Sequence, residues 1–72
     1  TSGNSSNIIK GVNTAKSIGM PVIGLSGRDG GDLNKICDIS LVVPSQITAR
    51  IQEMHILIGH IFCQIVDDGL AD

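Results

Sequence analysis

Two short apolar runs constrain this chain more than any other feature. Pro21-Val22-Ile23-Gly24-Leu25 has no polar side chain at all, and Ile39-Ser40-Leu41-Val42-Val43 has one before Pro44 ends it. A strand that is apolar at consecutive positions cannot leave one face in water, so the first run reads as a strand buried on both faces of a parallel sheet, with Ser26-Gly27 as its exit. Between the runs, Gly27-Arg28-Asp29-Gly30-Gly31 is a tight turn, followed by a short helix over residues 32–36. Ahead of them, Ser5 or Ser6 can cap a helix whose apolar stripe is Ile8, Ile9, Val12, Ala15 and Ile18, with Gly19 as its stop. After them, the longest helix is expected over about residues 47–68. Helix, strand, short helix, strand, helix implies parallel α/β layering. Parallel connections ordinarily place a strand before the first helix. None precedes it here, so the chain is expected to be truncated.

Size agrees with that expectation. A domain of 72 residues buries only about 60% of its unfolded surface and is marginal alone. Two cysteines, Cys37 and Cys63, make no disulfide framework and no zinc-type cluster. They read as reduced, buried thiols of a cytoplasmic protein. A net charge of −2, no basic cluster and the single aromatic Phe62 exclude a nucleic-acid surface built on phosphate neutralisation and base stacking. No run reaches the roughly 20 apolar residues of a membrane span, and the polar start is not a signal peptide.

The chain opens on Thr1-Ser2-Gly3-Asn4-Ser5-Ser6-Asn7, directly before the first helix. A phosphate monoester needs several donors converging on its oxygens. Short hydroxyls and the free N–H groups of a helix N-terminus supply them without bulk. Thr1, Ser2 and Ser5 suit that geometry, and Gly3 allows close approach of the backbone. Ordinary helix capping by serine explains the same residues equally well. The glycine-rich turn at residues 27–31 matches neither the P-loop nor the dinucleotide fingerprint and reads as a strand-to-helix turn.

In the last helix, Ile51, Met54, Ile58, Ile61, Phe62 and Ile65 cover a broad apolar face, while Glu53, His60, Gln64 and Asp67 form a narrow polar strip with Gln52 at its edge. Ile56 and Cys63 border the other side of the strip, so little of this helix is expected to face water. Gln52 and His60 stand two turns apart, about 12 Å along the axis. They could meet one small ligand, but that spacing is not the close i, i+4 pattern of metal pairs. Histidine exchanges protons near neutral pH, which fits His60 for general acid or base work, although a lone helix histidine is more often structural. His55 lies off the strip and reads as structural. Arg50 and Glu53 can form a local ion pair, while an arginine near a phosphate site is also a natural anion partner.

Residues 1–7, Leu25-Ser26-Gly27-Arg28-Asp29-Gly30-Gly31, Val43-Pro44-Ser45 and the segment Thr48-Ala49-Arg50-Ile51-Gln52-Glu53-Met54-His55, continuing to His60, resemble the sugar-isomerase (SIS) family in order along essentially the whole chain. The resemblance implies a flavodoxin-like three-layer α/β/α sandwich in a homotetramer, of which this chain is the C-terminal portion. It also implies that Thr1, Ser2 and Ser5 bind a sugar phosphate. Gln52 and His60 would face the reacting end of the sugar, where some members hold zinc with a His and a Glu from the N-terminal part. The implied reaction is isomerisation of sedoheptulose 7-phosphate to glycero-manno-heptose 7-phosphate through an enediol, in bacterial heptose biosynthesis that feeds lipopolysaccharide or capsule. His60 would move a proton and Gln52 would orient or ligate oxygens. Some members carry an Asp before the Arg of this motif; Ala49 stands here, so no role of that acid transfers.

Two other readings share these motifs. A non-catalytic SIS relative acts through contacts with the replication initiator protein, and a sugar-phosphate-sensing domain would keep the hydroxyl loop without proton-transfer groups. His60 favours the enzyme, since an adaptor has no chemical need for it.

Overall fold

The computed structural model describes residues 1–70. Its elements run α1 (Ser6–Ser17), β1 (Ile23–Gly27), α2 (Leu33–Ile36), β2 (Ile39–Val43) and α3 (Thr48–Leu70). The order is the one the apolar pattern dictates.

Helix α1 ends as the glycine stop requires. Gly19 takes φ +83, its N–H donates to the Lys16 carbonyl, and Met20 N–H reaches back to the Ala15 carbonyl. That pair of bonds is the Schellman closure, available cheaply only to a residue without a Cβ.

Strand β1 begins two residues later than the apolar run suggests. Pro21 has no N–H to give a ladder. The Val22 N–H is drawn to the Asp38 carboxylate at 2.7 Å, while the Val22 carbonyl accepts from Asp38 and Ile39 N–H. Pairing therefore starts at Ile23 and continues through Ser26 and Gly27, which the sequence reading had assigned to the exit. β1 and β2 are parallel, with Ile23 opposite Ile39 and Gly27 opposite Val43. α2 starts at Leu33 rather than residue 32, and β2 matches its expected bounds.

Two glycines in β1 let helices close on both faces. A Cβ on Gly24 would overlap the Cys37 sulfur and crowd Leu33, whereas one on Gly27 would overlap Ile51 of α3. Residues three apart in a strand point to opposite faces. α2 and α3 therefore pack on opposite sides of the sheet, in α/β/α layers. Ile51, Leu33 and Val12 form the buried apolar core, Ile51 with no exposed surface.

The expectation that little of α3 meets water is not met among the described residues. Only Ile51 is fully buried; His55, Ile58, Gly59 and Phe62 are half-buried. Met54, Ile56, Leu57, Ile61, Ile65 and Val66 are exposed. The physical reason is the size of the sheet: two five-residue strands span about 17 Å along the chain, half the roughly 35 Å of a 23-residue helix. Cys63 is also exposed, against the expected burial, and Cys37 is half-buried. No described helix is long and apolar enough to cross a membrane.

Asp38 links the start of the sheet to α1, through the Val22 N–H and through Lys16 at 3.6 Å. The Val22 hydrogen bond is the main cause holding its carboxyl below the ordinary 3.8; partial desolvation opposes it, and the Lys16 charge adds to the lowering. A carboxyl lowered in the folded state stabilises fully above its unfolded pKa, and the contribution disappears as pH falls through the lower folded value. Acidification from pH 5 through the region below 3.8 is therefore expected to lower the thermal midpoint of the native protein more steeply than that of an Asp38→Asn variant. Parallel midpoint-versus-pH curves would refute the linkage.

Candidate functional site: the hydroxyl loop and the polar strip of α3

The loop before α1 is held against the glycine turn by three long-range hydrogen bonds. The Thr1 carbonyl accepts from Gly27 N–H at 2.6 Å, and the Gly3 carbonyl from Leu33 N–H at 2.8 Å. The Asn4 side-chain oxygen accepts from Asp32 N–H at 2.9 Å. Gly3 is buried, and a Cβ there would overlap the Gly30 carbonyl. At φ +78 the position favours glycine on backbone grounds as well. The close approach anticipated for Gly3 is real, but it serves loop against loop.

That docking shapes a hollow of about 160 Å³ lined by Thr1, Gly3, Ser5, Ile8, Leu25 and Leu33. Alternate loop residues face it. Ser2 does not line it; its hydroxyl accepts from Asn4 N–H at 3.1 Å, leaving its own proton free to donate. Ser5 occupies the N-cap position of α1 yet makes no side-chain capping bond. The capping explanation therefore does not account for its hydroxyl. Uncapped first-turn N–H groups beside that hydroxyl leave the N-terminus of α1 with donors and a positive dipole end available to an anion.

Gln52 and His60 lie elsewhere. Ile51, His55, Ile58 and Phe62, at i, i+4, i+7 and i+11, form the inward seam of α3. At about 100° per residue, Gln52 sits roughly 90° from the centre of that seam and His60 about 170° from it. Both are exposed, and neither lines the hollow of Thr1 and Ser5. Among the described residues no group of three His, Cys, Asp or Glu side chains could hold a metal. Gln52 and His60 by themselves do not fit a zinc site: an amide oxygen and one imidazole two turns apart fall short of a tetrahedral set.

Other residues resolve as the sequence reading has them. His55 is structural: its Nε2 lies 2.8 Å from the Ser26 carbonyl, tying α3 to β1. Arg50 is engaged by Glu53 at 2.6 Å across one turn. The turn at residues 27–31 joins strand to helix, with Arg28 in the left-handed region at φ 56 and its guanidinium donating to Thr48 Oγ1 at 3.4 Å. Asn4 was not singled out by sequence reasoning. Its bond spans 28 residues, and no local pattern signals it.

No family model matches the chain. Individual proteins do. It is 58% identical over 71 residues, 99% of its length, to a protein named phosphoheptose isomerase from Aliarcobacter butzleri. It is 55% identical over all 72 residues to a phosphoheptose isomerase from Helicobacter hepaticus. Among solved structures, that of phosphoheptose isomerase GmhA from Neisseria gonorrhoeae superimposes with a TM-score of 0.88 at 48% identity over 92% of this chain. The chain spans 38% of the length of the first relative and 38% of the GmhA chain. Identity of 58% and 55% to two relatives along essentially the whole chain, on a fold shared with GmhA, makes this chain part of the phosphoheptose isomerase family.

Proposed function

We propose that the protein containing this chain is a phosphoheptose isomerase, converting sedoheptulose 7-phosphate to glycero-manno-heptose 7-phosphate in bacterial heptose biosynthesis. The observation that carries the reading is the Ser5 hydroxyl, placed at the N-terminus of α1 and unused for capping, in one hollow with Thr1. Short hydroxyls beside free helix N–H groups match the oxygens of a phosphate monoester. Thr1, Ser5 and the free proton of Ser2 would hold the phosphate end of the sugar.

An aldose–ketose isomerisation moves one proton between adjacent carbons and one between their oxygens, through an enediol. A base positioned at the carbon proton and a donor at the carbonyl oxygen suffice. His60 is assigned one of these proton transfers, and the Gln52 amide orients the sugar oxygens. His60 faces away from its own sheet and Gln52 lies at the side of α3, both exposed, so the reacting end of the sugar would lie between α3 and a surface outside the described residues. The second carboxylate or imidazole, and any zinc ligands beyond Gln52 and His60, would come from there; no step is assigned to the metal. The assembly is proposed as a cytoplasmic homotetramer, in which this chain forms the C-terminal portion of a single SIS domain.

The test is incubation of the full-length protein with sedoheptulose 7-phosphate, before and after exhaustive chelation, following the heptose product chromatographically. Conversion is expected. A chelator-sensitive rate would support zinc, and no conversion by folded, tetrameric protein would overturn the isomerase reading in favour of a non-catalytic relative.

A further inference from the structure

We propose that Asn4 is a positioning residue for phosphate binding: its side chain latches the hydroxyl loop to the start of α2 and thereby sets where Thr1 and Ser5 present their hydroxyls. The inference rests on the isomerase reading only for its kinetic arm.

Three bonds dock the loop, and two are made by backbone carbonyls that any residue would supply. The third, Asn4 Oδ1 with Asp32 N–H, is the only one written in a side chain. It lies between Gly3, buried against Gly30, and Ser5, which lines the hollow. Asn4 itself does not line the hollow; it borders a separate cleft of about 290 Å³ with Asp29, Gly31, Asp32, Asn34 and Lys35. Its own N–H donates to Ser2 Oγ, so one residue ties both the far side of the loop and α2. Gly31 makes room for the loop: a Cβ there would meet the Ser2 carbonyl at 2.5 Å and Asn4 Oδ1 at 2.6 Å, on a backbone at φ +53. A hydroxyl site loses affinity steeply when its donors move by a fraction of an ångström, because hydrogen bonds weaken sharply with distance and angle.

Asn4→Ala in the full-length protein removes the acceptor without entering the hollow. Direct calorimetric titration with inorganic phosphate is expected to show about three- to tenfold weaker binding, the scale of losing one net hydrogen bond. The KM for sedoheptulose 7-phosphate should rise by a similar factor while kcat changes less than about twofold, a split that a general loss of folded protein would not produce. Asn34→Ala, on the same cleft without a bond to the loop, should leave both values unchanged. Asn4→Ser, whose shorter side chain cannot hold the Asp32 N–H at the same reach, should weaken phosphate binding in the same direction, which keeps the test decisive if Asn4→Ala does not fold. Wild-type phosphate affinity in the folded Asn4→Ala protein, or a fall in kcat with KM unchanged, overturns the proposal. Phosphate binding lost as expected in a protein that never converts the sugar would sustain the latch and sink only the isomerase reading.

Discussion

Replacing His60 with glutamine in the full-length protein is expected to lower kcat for sedoheptulose 7-phosphate by about 100- to 10,000-fold, the usual contribution of one positioned acid or base. Glutamine keeps a hydrogen-bonding head of similar reach but cannot exchange a proton near neutral pH. The fold should be indifferent. His60 is exposed, lies opposite the inward seam and is not among the side chains that bond across the fold, so the thermal midpoint should stay within a few degrees. His55 supplies the contrast, because its ring holds the Ser26 carbonyl at 2.8 Å. A His55→Leu variant should lose stability by about 1–3 kcal/mol, the cost of stranding a buried carbonyl. Retained turnover in His60→Gln, with the product confirmed, would remove His60 from the proton transfer.

The second large effect is at the contact between β1 and α3. Ile51 is completely buried, and its side chain fills the space where a Cβ on Gly27 would be. Ile51→Ala should destabilise the folded protein by about 2–5 kcal/mol, combining lost transfer energy with the cavity left behind. Gly27→Ala should cost about 1–3 kcal/mol by overpacking against the intact isoleucine. The double variant places the new methyl into the new cavity, so its loss should fall short of the sum by about 0.5–3 kcal/mol. Chemical denaturation of the four proteins reads the coupling directly. Strict additivity would mean that Gly27 and Ile51 do not share that space.

Several elements are legible locally because their causes are local. α1 closes at Gly19 through the Gly19 N–H bond to Lys16 and the Met20 N–H bond to Ala15, neither spanning more than five residues. Pro44 ends β2 because it has no N–H to continue a ladder. The seam of α3 is less legible. Apolarity alone marks Ile51, Met54, Ile58, Ile61, Phe62 and Ile65 as one face, yet the chain turns inward a narrower seam that includes His55. Gly27 and the Ser26 carbonyl choose that rotation, one by leaving room for Ile51 and the other by accepting His55. The start of β1 was two residues out for a similar reason, since Asp38, sixteen residues away, captures the Val22 N–H.

The candidate site divides the same way. Residue types and their order were enough to mark Thr1, Ser2 and Ser5 as a hydroxyl loop and Gln52 and His60 as polar groups on an apolar helix. Those are properties of composition and spacing, which a linear chain displays in full. Tertiary structure decided that Ser5 is not spent on capping, that Ser2 turns toward Asn4, and that Asn4 fastens the loop to α2 across 28 residues. Such choices depend on which distant N–H or carbonyl is left without a partner once the strands have paired, and that accounting exists only in the folded chain.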